Sequence, residues 1–240
     1  MGRRPFTLIF PYYENPTMLD MQLMRLSIMP AEVREALHLI VVDDGSPKSP
    51  LGEFTAACMR GLGLASVQLF RITVDVRWNW IAARNLAVSQ ASTEWVLMTD
   101  IDHIVPEATM RRIQEVKLSD RNVYRFSRVD VPDLTPYKPH PNSWLMTRAM
   151  FDKIGGYDER FSGYYGTDGE FRDRVTAACR EVVLLDQALW RVPREVVADA
   201  STTAYQRKQP EDREGVTRIR REIAQSPTPH RGTFPWVRVV

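Results

Sequence analysis

Residues 95–106 read Trp95-Val96-Leu97-Met98-Thr99-Asp100-Ile101-Asp102-His103-Ile104-Val105-Pro106. The apolar run Trp95–Met98 has the length of a buried strand, and Pro106 suits the first turn of a following helix. Carboxylates at i and i+2 point to one side if extended geometry persists past the run, with Ile101 on the other. Paired carboxylates at the carboxyl end of a strand suit a hard divalent cation that also holds a diphosphate. Asp-x-Asp alone is more often a solvated turn, so its weight depends on the surrounding segments.

Upstream, strand and helix signals alternate. Strands are expected at 6–10, ending at Pro11, and at 37–42, broken by Asp43-Asp44-Gly45-Ser46, then at 67–72 and 95–99. Helices are expected at 17–29, 51–62 and 80–90. This alternation predicts βαβ units in an open α/β sheet, mostly parallel and flanked by helices. Ligands of such sheets lie beyond the carboxyl ends of the strands, where Pro11, Asp44 and Asp100 fall. Downstream, Pro132, Pro136, Pro139 and Pro141 exclude a helix from the crossing that contains them. A short strand at 143–147 and a helix at 148–154 ended by Gly155-Gly156 follow, then a helix at 168–180 and a strand at 182–185. The tail is strongly charged from 206 to 225, with a helix expected over 210–225; Pro227, Pro229 and Gly232 suggest a flexible end or a lid.

The chain has 240 residues and 44% hydrophobic content, enough for one substantial core, so a single domain over 1–240 is expected. A net charge of +2 is too small to mark a nucleic-acid binder. The basic residues are 27 Arg and only 5 Lys; arginine suits bidentate phosphate contacts, although genome composition biases the ratio too. Cys58 and Cys179 lie far apart in expected helices, which fits reduced thiols in a cytoplasmic protein better than a disulfide framework. No Cys/His cluster has zinc spacing, and no apolar stretch approaches about 18 residues, so no integral membrane segment is expected.

The motifs, taken in order, resemble family-2-type inverting glycosyltransferases with the GT-A (Rossmann-like) fold. Phe10-Pro11-Tyr12-Tyr13-Glu14-Asn15 is similar to their first-strand motif, and Ile40-Val41-Val42-Asp43-Asp44-Gly45-Ser46 to the second. Ala83-Arg84-Asn85 resembles the Ala-Arg-Asn of the helix before the metal strand, and Asp100-Ile101-Asp102 the metal motif itself. The block Gly155–Phe161 followed by Gly163–Glu170 resembles the acceptor-side block of galactosyltransferase-like members. The resemblance implies a nucleotide-sugar-binding half at 1–105, an acceptor-side half at 106–205, and a charged tail or lid at 206–240.

It also implies roles. Pro11, Tyr13, Asp44, Arg84 and Asp100 would bind the nucleotide sugar, expected to be a UDP-sugar. Tyr13 would stack on the base, or else be a strand-end tyrosine of the core. Asp44 would accept from a uracil N–H; Asp43 would serve instead or cap the turn. Arg84 offers a planar fork to the diphosphate or to Asp100. Asp102, with Asp100, would hold Mn²⁺ or Mg²⁺, which neutralises charge on the leaving nucleoside diphosphate. The later histidine of some metal-dependent relatives is missing, because Leu189-Trp190-Arg191 occupies that region. His140 or His230 is then the third-ligand candidate, the latter only if the tail folds back. His103 is a further possible ligand, but reads first as a helix-entry residue facing away.

Asp168 is the expected catalytic base; a plain helix N-cap is the other reading and does not exclude it, since the helix terminus would also lower its pKa. Trp144, Tyr164, Tyr165 and Glu170 are the acceptor-side candidates, with core packing an equal reading of Trp144. The acceptor implied is a hydroxyl on a glycan or lipid-linked glycan. A modified base in DNA is the alternative, motivated by the arginine excess and Arg218-Ile219-Arg220-Arg221. A non-catalytic nucleotide-sugar or glycan-binding module on the same scaffold is the reading from another class, since fold alone does not give activity.

Overall fold

The computed structural model describes residues 3–207 and 210–240, so positions 208 and 209 of the charged tail lie outside the described residues. The N-terminal half builds the expected unit from β1 (Phe6–Tyr12), β2 (Leu37–Asp43), β3 (Ser66–Ile72) and β4 (Trp95–Met98). They stand side by side in the order β3-β2-β1-β4, all parallel. β1 continues past the expected end, placing Pro11 opposite Val42. β4 stops opposite Ile9, so Pro11 has a strand neighbour on one side only, an edge-like position where a missing N–H is tolerated.

Side chains alternate across this sheet. Phe6, Leu8 and Phe10 join the core on one face, with α1 (Pro16–Ser27), α2 (Ala31–Arg34) and α3 (Glu53–Arg60), while Ile9 joins the core on the other. On that second face lies α4 (Trp80–Gln90), buried from Trp80 through Val88 because it is covered on all sides.

Past Asp102 the strand β5 (His103–Ile104) leads into α5 (Glu107–Glu115), then β6 (Asn122–Asp130), which the sequence reading did not anticipate. The proline-rich crossing is free of helix and carries only β7 (Thr135–Tyr137). β8 (Trp144–Thr147) pairs antiparallel with β4, and α6 (Arg148–Ile154) follows it. Beyond α7 (Asp168–Ala178), β9 (Glu181–Arg191) runs far past the expected 182–185 and pairs parallel with β6. A register shift at Phe126/Ser127 lets that pairing resume after a bulge. The ten-stranded sheet is therefore mixed, with its parallel block in the first half.

The tail helix is α8 (Arg213–Gln225). The segment after it runs along the protein instead of hanging free. Glu159 accepts hydrogen bonds from the N–H groups of Gly232 and Thr233, and β10 (Trp236–Arg238) adds an antiparallel strand to β3. Among the described residues no helix is long and apolar enough to cross a membrane.

Candidate active site

The carboxyl ends of β1, β2 and β4 open into a cavity of about 280 Å³, closed on other sides by residues around 140–142, Tyr165–Asp168 and Ala200–Ala204. Pro11, Tyr13, Asp44, Asp100, Asp102, Tyr165 and Asp168 all line it. The strand geometry of β4 does not persist through Asp102, because residues 101–102 form a turn. The turn nevertheless keeps both carboxylates on the cavity.

The two aspartates of the second-strand motif divide their work. Asp43 is buried and accepts from the backbone N–H groups of Ser46 (2.9 Å) and Leu51 (2.9 Å), which makes it the turn cap. Asp44 faces the cavity, and burial pushes its pKa up to about 7 although Arg207 pulls the other way. Its Oδ2 accepts from Arg207 Nη1 at 2.7 Å, while its buried Oδ1 has no partner. Gly45 makes the turn possible: its φ is +76°, and an added Cβ would stand 2.3 Å from the Val74 carbonyl oxygen.

Asp100 is held from two sides. Arg84 Nη2 donates to Oδ1 at 2.5 Å, and His140 Nε2 lies 3.2 Å from Oδ2. Burial raises the Asp100 pKa, but His140 and Arg84 outweigh it and hold the carboxyl below the ordinary range. Burial also lowers the pKa of His140 to about 4, so near neutrality the permanent positive charge beside Asp100 is that of Arg84. Arg84 is fully buried behind the cavity wall, 4.7 Å from the centre of the Trp80 ring, and also donates to Tyr157 Oη and the Asn142 carbonyl. Its fork therefore goes to Asp100, the second of the two roles its shape allowed.

Asp102 has a different environment. His103 is not a helix-entry residue facing away: it is buried in β5, with Nδ1 2.7 Å from Asp102 Oδ1 and its ring 4.3 Å from that of His140. Arg128 Nη1 lies 3.1 Å from His103 Nε2. Guanidinium only donates, so Nε2 accepts and the ring proton sits on Nδ1, aimed at Asp102. Ser201 Oγ donates to Asp102 Oδ2 at 3.1 Å. No arginine or lysine lies within ion-pair distance of Asp102 among the described residues, although Arg128 and Arg191 line the same cavity.

Asp168 is the first residue of α7, after an N-cap at Thr167, and its side chain does not cap the helix. Asn142 Nδ2 donates to its Oδ1 at 3.2 Å. Burial is the main effect on its pKa, supported by Asp100, and the net shift is upward. That reverses the expected lowering by the helix terminus, because the carboxyl is withdrawn from solvent.

Other expected site residues lie elsewhere. Trp144 is a core residue of β8, edge-on to Phe171 and stacked with Arg125, because β8 lies inside the sheet. Tyr164 packs under α8, its Oη receiving a hydrogen bond from Arg218 and its ring lying against Gly215. Glu170 turns back along α7 to pair with Arg174. His230 lies outside the cavity: the tail does fold back, but Asp158 and Glu159 bind its backbone and direct it toward β3. Tyr165 remains at the cavity, edge-on to Trp78. Arg207 is the main residue the sequence did not reveal, since 163 positions separate it from Asp44 and no local pattern links them.

Among the described residues there is no group of three His, Cys, Asp or Glu side chains able to hold a metal by themselves. A small hard cation that takes one or two protein carboxylates and completes its shell with substrate phosphates needs no such group. Asp102, which lines the cavity beside Asp100, fits that kind of binding.

An α/β sheet with acidic strand ends gathered around one cavity is the architecture of GT-A glycosyltransferases. Solved structures agree on the fold. Staphylococcus aureus TarS matches with TM-score 0.60 at 15% identity over 92% of this chain, which spans 44% of the TarS chain. Its 1–349 fragment with UDP-GlcNAc matches with TM-score 0.60 at 14% identity, over 92% of this chain and 73% of that one. The mannosyltransferase PcManGT of Pyrobaculum calidifontis, solved with GDP-Man and Mn²⁺, gives 0.56 at 17% identity, over 97% and 66%. No curated protein sequence matches the chain. Residues 31–175, more than half of the chain, match the model of glycosyl transferase family 2. The chain belongs to that family.

Proposed function

We propose that the protein transfers a sugar from a nucleotide sugar, a UDP-sugar in the first instance, to a hydroxyl of a glycan or lipid-linked glycan with inversion at the anomeric carbon. One observation carries this reading: Tyr13, Asp44, Asp100, Asp102 and Asp168, from distant parts of the chain, line one cavity. Tyr13 offers an aromatic face to a base, and the unpartnered Oδ1 of Asp44 suits an imide N–H such as that of uracil. The TarS fragment solved with UDP-GlcNAc supports the choice of donor.

Asp102, with Asp100 beside it, would hold Mn²⁺ or Mg²⁺, which as a Lewis acid neutralises charge on the departing diphosphate. Asp168 takes the proton of the acceptor hydroxyl as its oxygen attacks the anomeric carbon and the bond to the diphosphate oxygen breaks. A carboxylate raised by burial is a stronger base for that proton. Asn142 orients Asp168, and Arg84 orients Asp100.

The test is a panel of nucleotide sugars and free UDP, read by thermal shift with and without Mn²⁺, followed by donor turnover. A rise in Tm with UDP or one UDP-sugar, larger with Mn²⁺, is expected. The proposal fails if no nucleotide sugar stabilises the protein under any metal condition.

A further inference from the structure

The guanidinium of Arg207 lies over Tyr13, with Cζ 3.6 Å from the ring centre. Nη1 donates to Asp44 Oδ2 at 2.7 Å, and Nη2 to Asp75 Oδ1 at 2.6 Å and to the Val76 carbonyl. Only 3% of the side chain is exposed. A planar group at this distance is in van der Waals contact with the ring, so no second planar group fits between them. One face of the ring, and one oxygen of the carboxylate expected to receive a nucleobase, are therefore both engaged by a side chain of the same protein.

The segment that delivers Arg207 is tied down along its length. Asp199 accepts from the N–H groups of Thr17 (2.8 Å) and Met18 (2.9 Å), and so caps the start of α1. Ser201 crosses to Asp102 Oδ2, and a π-helical turn over Thr203–Arg207 carries the arginine to Tyr13. Residues 200–204 also form part of the cavity wall. One strap thus touches both the metal-motif carboxylate and the base end of the site.

We propose that this strap is autoinhibitory: Arg207 occupies the nucleobase position in the free protein, and a nucleoside diphosphate binds by displacing it. The inference rests on the reading of Tyr13 and Asp44 as the base site. Competition of this kind lowers the apparent affinity by the fraction of molecules whose slot is open. Arg207 acts here as an occupant, in contrast to a contact that would strengthen donor binding.

The experiment is calorimetric titration of the full chain with UDP and Mn²⁺, using wild type, Arg207→Ala and Arg207→Gln. The shorter glutamine withdraws the guanidinium from the Tyr13 ring yet keeps a donor for Asp44, which guards against an alanine variant that fails to fold. Removal of the occupant should tighten the Kd for UDP by about tenfold in either variant. A wild-type measurement runs alongside: saturating UDP should accelerate trypsin cleavage after Arg207 severalfold, because the buried side chain is expelled. Unchanged or weaker binding by the variants, or cleavage unchanged or slowed by UDP, overturns the strap while leaving the base site standing. If neither wild type nor variants bind UDP or any other nucleotide, the base-site reading fails and the strap fails with it.

Discussion

Arg84 Nη2 stands 2.5 Å from Asp100 Oδ1, and the same guanidinium reaches the carbonyl of Asn142, whose amide nitrogen donates to Asp168. The strand-end carboxylate and the helix-start carboxylate are thus positioned through one fully buried cation.

Arg84→Lys keeps the charge but loses the fork, so it should uncouple the two carboxylates. Asp100 is partly exposed at the cavity, so screening limits the stability loss to about 1–3 kcal/mol. Urea unfolding measures that loss, and donor turnover should fall with it. Wild-type turnover in the lysine variant would show that the bridge does not matter.

Asp168→Asn should lower turnover by about 10²–10⁴-fold while leaving UDP affinity unchanged. The wild-type rate should rise with pH through a limb above the ordinary aspartate range, because burial raises the pKa of the base. Retention of that limb in the asparagine variant would assign it to another group.

Asp102→Ala should abolish the part of UDP stabilisation that depends on Mn²⁺ and leave the metal-free part in place. Ligand-induced stabilisation follows RT ln(1 + [L]/Kd), so paired thermal shifts separate the two contributions. An unchanged Mn²⁺ increment would move the cation to other ligands.

Asp44 gives a signed pH prediction. Its folded pKa, pushed up to about 7 by burial, lies above that of the unfolded chain, so the folded state binds the proton more tightly. Its contribution to stability therefore falls as pH rises from about 4 through about 7. Asp44→Asn removes the titration. Relative to that variant, wild type should gain unfolding free energy when the pH is lowered from about 7.5 to about 4.5. A constant difference between the two would place the folded pKa near its ordinary value.

Gly45→Ala should destabilise the fold by more than about 1 kcal/mol, through its positive φ and its collision with Val74. Chemical denaturation gives the value, and an unchanged midpoint would mean that the 74–75 backbone moves aside.

The parallel block and its order of strands and helices were legible because apolar runs of strand length alternate with longer helical stretches, and Pro11, Asp44 and Asp100 close three of those runs. The acidic positions could be placed for the same reason, since a residue at a strand's carboxyl end faces the crevice whatever packs later. Other features came only from the assembled chain. Trp144 became core because β8 is inserted between β4 and β6, a pairing with no local signature. His103 turned inward because Asp102, in the turn just before it, and Arg128, on β6, meet its two ring nitrogens. Arg207 reached Tyr13 because the strap is anchored on α1 through Asp199. Local sequence determined which elements form and where they end, since those depend on periodicity and turn chemistry. Which distant charges share a buried site was decided by tertiary structure, because such pairs form only when folding removes both partners from water.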